Sequence, residues 1–126
     1  MYEVSYMAML EDTTEQIRDN ERRAFDNAIA LLKRAQTSGR GTRDSVEALL
    51  FVNRLWTLLL EDLADPGNGL PEALRASLIS IGIWVLRRSE DIRQGHVEDF
   101  SALIEVSETI RNGLGRNANV HSSEAW

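Results

Sequence analysis

Cysteine is absent from this chain, and other chemically active side chains are few. The lack of cysteine excludes disulfides and thiolate chemistry, and it is compatible with a reducing compartment. The two histidines, His96 and His121, have neither the short spacing nor the neighbouring HxxxE pattern that would direct both at one metal ion. We therefore expect no metal and no cofactor.

Recognisable catalytic motifs are also missing. The sequence contains no phosphate-binding glycine loop and no nucleophile elbow. Glu61 and Asp62 are adjacent, so on a helix they diverge by about 100° and cannot act as a facing carboxylate pair. The sequence predicts a protein that is not an enzyme.

Long apolar runs are lacking as well. The longest, such as residues 81–86, fall far short of the roughly 20 residues that a membrane-spanning helix needs, so we expect no membrane insertion. The first ten residues lack a basic leader and do not resemble a secretory signal, so we expect no export. The net charge of −6, from 20 acidic and 14 basic residues, opposes generic binding to nucleic acids and anionic membranes.

Amphipathic helical patterns fill most of the chain, whose 126 residues suffice for one domain with one core. The most apolar stretch is residues 46–63, where 12 of 18 residues are apolar, and it predicts a helix enclosed by neighbours. We predict an all-α fold, an antiparallel bundle of about four helices in which the second and third supply most of the core. The expected helices cover residues 13–37, 42–64, 71–94 and 99–114.

Capping residues and helix breakers define these boundaries. Thr13, with Gln16 in a capping box, predicts the start of the first helix, and Thr42 predicts the start of the second. Pro71 suits the first position of the third helix, and Gly95 ends that helix. We expect a single domain over residues 1–115, with residues 1–12 as an N-terminal arm and 116–126 as a disordered tail.

Several apolar residues lie outside the stripes that the core requires. Ile83 and Trp84 project beside polar positions of the third helix, and Leu50 lies among polar positions of the second. Either neighbours enclose both helices, or these residues form an apolar groove for a partner helix. With Tyr2 and Tyr6 of the arm, they make up the predicted partner-binding set.

Gly82 lies inside the third predicted helix, where glycine is about 1 kcal/mol less favourable than alanine. Such a glycine indicates close approach of a neighbouring helix or of a ligand chain.

Residues 33–43 form a local basic segment with four cations and no acid. This segment could contact RNA. Stabilisation of a helix C-terminus is the favoured interpretation, because no aromatic residue that could stack on bases lies among the cations. The cations are Lys33, Arg34, Arg40 and Arg43.

Four stretches of the chain together carry a resemblance to a known family. They are SYMAMLED at 5–12, ALLFVNRLWTLLLEDLA at 48–64, LPEALRASLISIGIWVLRRSEDI at 70–92 and LIEVSETIRNGL at 103–114. Together they resemble the flagellar biosynthesis regulator FlaF family, and the resemblance covers nearly all of residues 1–115. It implies a small cytoplasmic protein of flagellated bacteria that is not an enzyme. It also implies promotion of flagellin production, opposition to the FlbT repressor, and flagellin binding as a secretion chaperone. It assigns no binding residues.

The residue pattern and the resemblance lead to one main hypothesis, in which the bundle presents apolar surface to an amphipathic terminal helix of flagellin. An alternative is a post-transcriptional regulator that acts on flagellin mRNA, directly through residues 33–43 or through FlbT. A third is a bundle whose exposed apolar surface makes a homodimer. The sequence leaves the oligomeric state open.

Overall fold

The computed structural model describes the backbone of residues 6–119 and the side chains of residues 19–114. This part of the chain is helical throughout apart from the connections, which confirms the all-α prediction. The four helices are α1 (Tyr6–Ser38), α2 (Arg43–Ala64), α3 (Glu72–Arg93) and α4 (Ser101–Asn119).

The helices pack in an open order rather than a closed ring. Among the described residues, α1 packs against both α2 and α4, and α2 also packs against α3, whereas α3 and α4 barely touch. The lateral order is therefore α4, α1, α2, α3. We call the line along which α3 and α4 diverge the seam.

The buried core comes mainly from α1 and α2. Among the described side chains, these helices contribute five buried hydrophobic residues each, and α3 contributes two. The expectation that α2 and α3 supply most of the core is wrong for α3, because α1 lies between two neighbours and α3 has only one close neighbour. At the centre, the rings of Phe25 and Trp56 meet edge to face, with centroids 5.9 Å apart.

The first helix begins earlier than predicted. α1 starts at Tyr6, so Thr13 is internal and its capping box with Gln16 is not the helix start. The predicted arm is therefore wrong for residues 6–12, and residues 1–5 lie outside the described part. Positions 7, 10, 14 and 17 continue the spacing of three and four residues seen further along α1, and Met, Leu and Glu favour helix. A window of twelve residues is too short to show that period.

The last helix also ends later than predicted. α4 continues to Asn119, past the expected end at Leu114, so the first four residues of the predicted tail are helical and residues 120–126 lie outside the described part. Gly113 and Gly115 do not stop the helix, since one glycine in a helix is unfavourable by only about 1 kcal/mol. Gly113 is buried, and its small size suits a packed helix face.

The predicted boundaries between helices are largely confirmed. Thr42 caps α2, with its hydroxyl oxygen accepting from the Ser45 amide at 3.3 Å and donating to the Gly39 carbonyl at 2.7 Å. Gly39 and Gly95 follow α1 and α3 with φ of +101° and +87°. Pro71 is the N-cap of α3 and not its first residue, a shift of one position.

The start of α4 is fastened by a side chain from α1. The Gln36 side-chain oxygen accepts from the Phe100 amide at 2.8 Å, and its nitrogen donates to Asp99 Oδ1 at 2.8 Å and Ser101 Oγ at 3.1 Å. Gln36 thus caps a helix more than sixty residues away in sequence, a contact that local pattern does not reveal.

We expect Gln36→Ala to raise the pKa of Asp99. Hydrogen bonds from Gln36, and then from Ser101, lower that pKa to about 2. Because the folded value lies below the unfolded value, this carboxylate stabilises the fold above the unfolded pKa, and the contribution is lost as pH falls towards about 2. Carbon-detected NMR titration of the Asp99 carboxyl measures the change. Gln94→Ala is the control, because Gln94 donates to Glu90 instead; an Asp99 pKa that stays near 2 without Gln36 would contradict the assignment.

Gly82 is the point of closest approach between α3 and α2. A Cβ atom at this position would lie 2.8 Å from Leu60 Cδ2 and 2.8 Å from Trp56 Cε3. These distances confirm the predicted close approach by a neighbouring helix. The absence of a side chain at Gly82 allows α3 to pack closely against α2.

We expect Gly82→Ala to lower the free energy of unfolding by about 1 kcal/mol. Overpacking against Trp56 and Leu60 is unfavourable by roughly 1–3 kcal/mol, and the better helix propensity of alanine returns about 1 kcal/mol. Urea unfolding measures the difference. Ser80→Ala, at an exposed position on the same helix, is the matched control and should be slightly stabilising. A Gly82→Ala protein more stable than the parent would contradict the packing.

Candidate partner-binding groove

An apolar groove opens at one end of the seam, where the first turns of α3 and the last described turns of α4 diverge. It encloses a volume of about 130 Å³ and receives residues from all four helices and from the α2–α3 loop. Nine of its eleven lining residues are apolar, and two are acidic. They are Phe25, Trp56, Leu59, Leu63, Leu70, Leu74, Leu78, Ile110 and Leu114, with Glu21 and Asp62.

Helical spacing places the two walls of the groove opposite each other. Leu74 and Leu78 are four residues apart on α3, and Ile110 and Leu114 are four residues apart on α4, so each pair lies on one helix face. α3 is held against α2 at Gly82, and α4 is held against α1, so the two walls do not meet. The edge-to-face pair of aromatic rings forms the floor between them.

The size of the groove suits the insertion of one large apolar side chain. Its volume of about 130 Å³ is close to that of a roughly 150 Å³ engineered cavity that takes up benzene. A leucine, methionine or phenylalanine from another molecule would lose its contact with water there and meet leucine and aromatic side chains. Grooves of this kind anchor amphipathic helices through a few buried residues.

The α2–α3 loop contributes Leu70 to the groove and is closed by its own hydrogen bonds; we call the side of the groove next to this loop its mouth. The Asn68 side chain donates to the Asp62 carbonyl at 3.1 Å and to Asp62 Oδ2 at 3.3 Å. The Gly67 amide donates to Asp65 Oδ1 at 3.1 Å. These bonds fix the loop that carries Leu70, which is 37% exposed at the rim.

Three of the sequence-predicted contact residues, Leu50, Ile83 and Trp84, have described side chains, and none of these three lines the groove. Leu50 and Ile83 are 64% and 43% exposed on α2 and α3. Gly82 meets α2 at Trp56 and Leu60, which are six and ten residues from Leu50, so Leu50 lies roughly 9–15 Å along α2 from the level of Ile83. The two residues therefore do not form one continuous patch, and their role in binding stays a prediction.

Trp84 has a mixed environment. It is half-buried and packs against the core, and the Arg88 guanidinium lies 5.3 Å from its ring centroid in a cation–π contact. The tyrosines of the predicted set cannot be placed in the same way: Tyr2 lies outside the described residues, and Tyr6 is the first residue of α1 with its side chain outside them.

Sequence reasoning missed the groove because its walls resemble a core. Leu74, Leu78, Ile110 and Leu114 have the spacing of buried stripe residues, which predicts packing against a neighbouring helix. No local signal distinguishes a stripe that meets another helix from one that faces a gap.

Two members of the basic segment are engaged within the fold. Lys33 Nζ lies 3.3 Å from Glu108 Oε2 on α4, and the Arg40 guanidinium lies against Gly95, 3.3 Å from where a Cβ would be. Lys33 thus links α1 to α4, and Arg40 packs the α1–α2 connection against the end of α3. They favour a structural role for the segment over RNA contact.

Reactive groups are sparse in the described part of the chain. Within it, no three His, Asp or Glu side chains converge in a way that could hold a metal ion. The Ser89 hydroxyl is buried, and no partner for it is found among the described groups. None of the helices described combines the length and the apolar character that crossing a bilayer requires.

The described part of the chain is a small all-α bundle with an apolar groove on its surface. The family model described as flagellar protein FlaF matches residues 2–114. The chain belongs to the FlaF family, a flagellar regulatory family, and the resemblance inferred from sequence is confirmed. No curated protein and no solved structure matches the chain.

Proposed function

We propose that this protein is a cytoplasmic, flagellin-binding secretion chaperone that promotes the production and export of flagellin. Membership of a flagellar family supplies the biological setting. The observation that carries the proposal is the apolar groove at one end of the seam, which described residues from all four helices line.

The proposed mechanism is helix capture. An amphipathic terminal helix of flagellin exposes an apolar stripe that can associate with other subunits. A large apolar side chain from that stripe would insert between Leu74 and Ile110. The stripe would then be covered, and the flagellin subunit would stay unpolymerised until export. The bound helix would lie along the seam and contact α3 and α4 together.

Leu50, Ile83 and Trp84, with Tyr2 and Tyr6, remain a second proposed contact surface for the same partner. Leu50 and Ile83 are exposed, as such a role requires. They lie on convex helix faces, where a partner side chain would stay partly in water. The groove is therefore the preferred site, because fully desolvated pockets contribute most to binding.

Calorimetric titration of the purified protein with soluble flagellin tests the proposal. We expect a saturable complex, with a negative heat-capacity change from the burial of apolar surface. Flagellin truncated at one terminus or the other identifies the bound helix. If titration with full-length flagellin gives no heat and flagellin does not co-purify with the protein, the chaperone proposal is refuted.

Action on flagellin mRNA is the alternative, either directly or through FlbT. A gel-shift assay across salt concentrations separates direct RNA binding from helix capture, because phosphate contacts weaken steeply with salt. The engagement of Lys33 and Arg40 within the fold reduces the cations available for such contacts. FlbT as a partner is suggested by the family resemblance and by no feature of the structure.

A further inference from the structure

We infer that the groove selects a helix that carries one large apolar anchor residue flanked by lysine or arginine. This inference rests on the proposed function, in which the groove is the binding site. The selectivity comes from the charges around the mouth. The apolar lining of the groove binds the anchor residue, and the negative charges beside the groove favour a helix with positive charges.

The end of the bundle that carries the groove is acidic. Described residues 19–23 and 58–78 contain six acidic residues against three arginines, a net charge of −3. At the opposite end, residues 33–47 and 87–101 contain seven basic residues against six acidic ones. The excess negative charge of the described chain is therefore concentrated on the side where the groove opens.

Two of these carboxylates belong to the groove itself. Glu21 from α1 and Asp62 from α2 are its acidic lining residues, and Glu72 lies exposed between Leu70 and Leu74 in sequence. An apolar wall beside a carboxylate lowers the local dielectric constant and strengthens attraction to a cation. On a bound helix, residues three or four positions from the anchor lie on the same face, within reach of this rim.

The same charges disfavour occupation by a second copy of this chain through its termini. Residues 1–18 carry four acidic residues and one arginine, and residues 115–126 carry one acidic residue and one arginine. The first segment would bring negative charge to a negative mouth, and the second would bring no net positive charge. A basic partner helix satisfies both the apolar groove and its rim.

The experiment uses the full-length protein and three fluorescent synthetic helices of about 18 residues. All three share one leucine-rich face, and the positions flanking it carry lysine, glutamine or glutamate. In fluorescence anisotropy at low salt, we expect the lysine helix to bind at least about 10-fold more tightly than the glutamate helix, with the gap shrinking as salt screens the rim. Equal affinities, or tighter binding of the glutamate helix, would overturn the inference.

A pair of charge-neutralised proteins locates the effect. Asp62→Asn with Glu72→Gln removes two charges at the mouth with little change in shape, and Glu47→Gln with Glu98→Gln removes two at the far end. We expect only the first pair to weaken the lysine helix, by about 5-fold at low salt. If both pairs of substitutions weaken binding equally, the net charge of the whole protein and not the charge at the mouth determines the affinity, and the inference is overturned.

Measuring the binding of flagellin to the parent protein and to both neutralised proteins distinguishes this inference from the proposed function. If the lysine helix binds with the expected charge dependence and flagellin does not bind, the chaperone proposal fails and the charge selectivity stands. If flagellin binds equally to the parent and to both neutralised proteins, the selectivity fails and the chaperone proposal stands. Circular dichroism of each variant confirms that the fold is retained.

Discussion

Replacing Trp56 with alanine is expected to lower the free energy of unfolding by about 4 kcal/mol, the largest stability effect of any single truncation here. Trp56 is 2% exposed, meets Phe25 edge to face, and forms the surface against which Gly82 fits. Removing the ring eliminates the contact with Phe25 of α1 and the contact with Gly82 of α3 at the same time. Urea unfolding followed by circular dichroism measures the loss.

Trp84→Ala is the matched control, because it removes the same side chain from a half-buried position. We expect it to lower the free energy of unfolding by less than half as much, since part of the Trp84 ring faces water and Arg88. If Trp56→Ala does not fold, Trp56→Leu gives a partial loss that is still measurable. Equal losses at the two tryptophans would contradict the placement of the core.

Filling the groove from within is expected to abolish capture of flagellin. Leu74 is half-buried and lines the groove, so Leu74→Trp can place its larger ring in the open volume without displacing the packed core. The ring would occupy the space of the partner's anchor. We expect affinity for flagellin to fall by at least about 30-fold, or roughly 2 kcal/mol, while stability is kept. Calorimetry and thermal unfolding report the two quantities separately.

Leu50→Trp provides the control for that experiment. It adds the same ring at a position that is 64% exposed on the outer face of α2. Binding that is unchanged by Leu50→Trp and lost with Leu74→Trp supports the groove. The opposite pattern would move the site to the outer faces of α2 and α3, as the sequence alone had suggested.

Local sequence features were sufficient for the boundaries that depend on local chemistry. Thr42 caps α2 through its own hydroxyl, and Gly39 and Gly95 adopt the positive φ that favours glycine, so each boundary is visible within a few residues. Gly82 was informative for a similar reason, because a glycine inside a helix needs an explanation. The family resemblance was likewise carried by local motifs in the helices.

The groove could not be predicted in that way, because it depends on how far apart two helices stand. Leu78 and Ile110 would have the same spacing whether α3 and α4 met or diverged. The length of α1 was missed for a related reason, since its first turns continue a period that only a longer window reveals. Gln36 reaches a helix more than sixty residues away, and no pattern within α1 indicates that contact.

The open order of the helices also bears on which part of the fold unfolds first. Among the described residues, α3 and α4 each bury two large hydrophobic side chains, but α3 rests on α2 alone along most of its length. α4 is also fastened to α1 by the Gln36 cap and by ion pairs of Glu108 and Arg111. We therefore expect α3 to be the helix with the lowest free energy of local opening. A partner that spans the seam would close the ring and suppress this opening, so binding would slow amide hydrogen exchange along α3 far beyond the residues it touches.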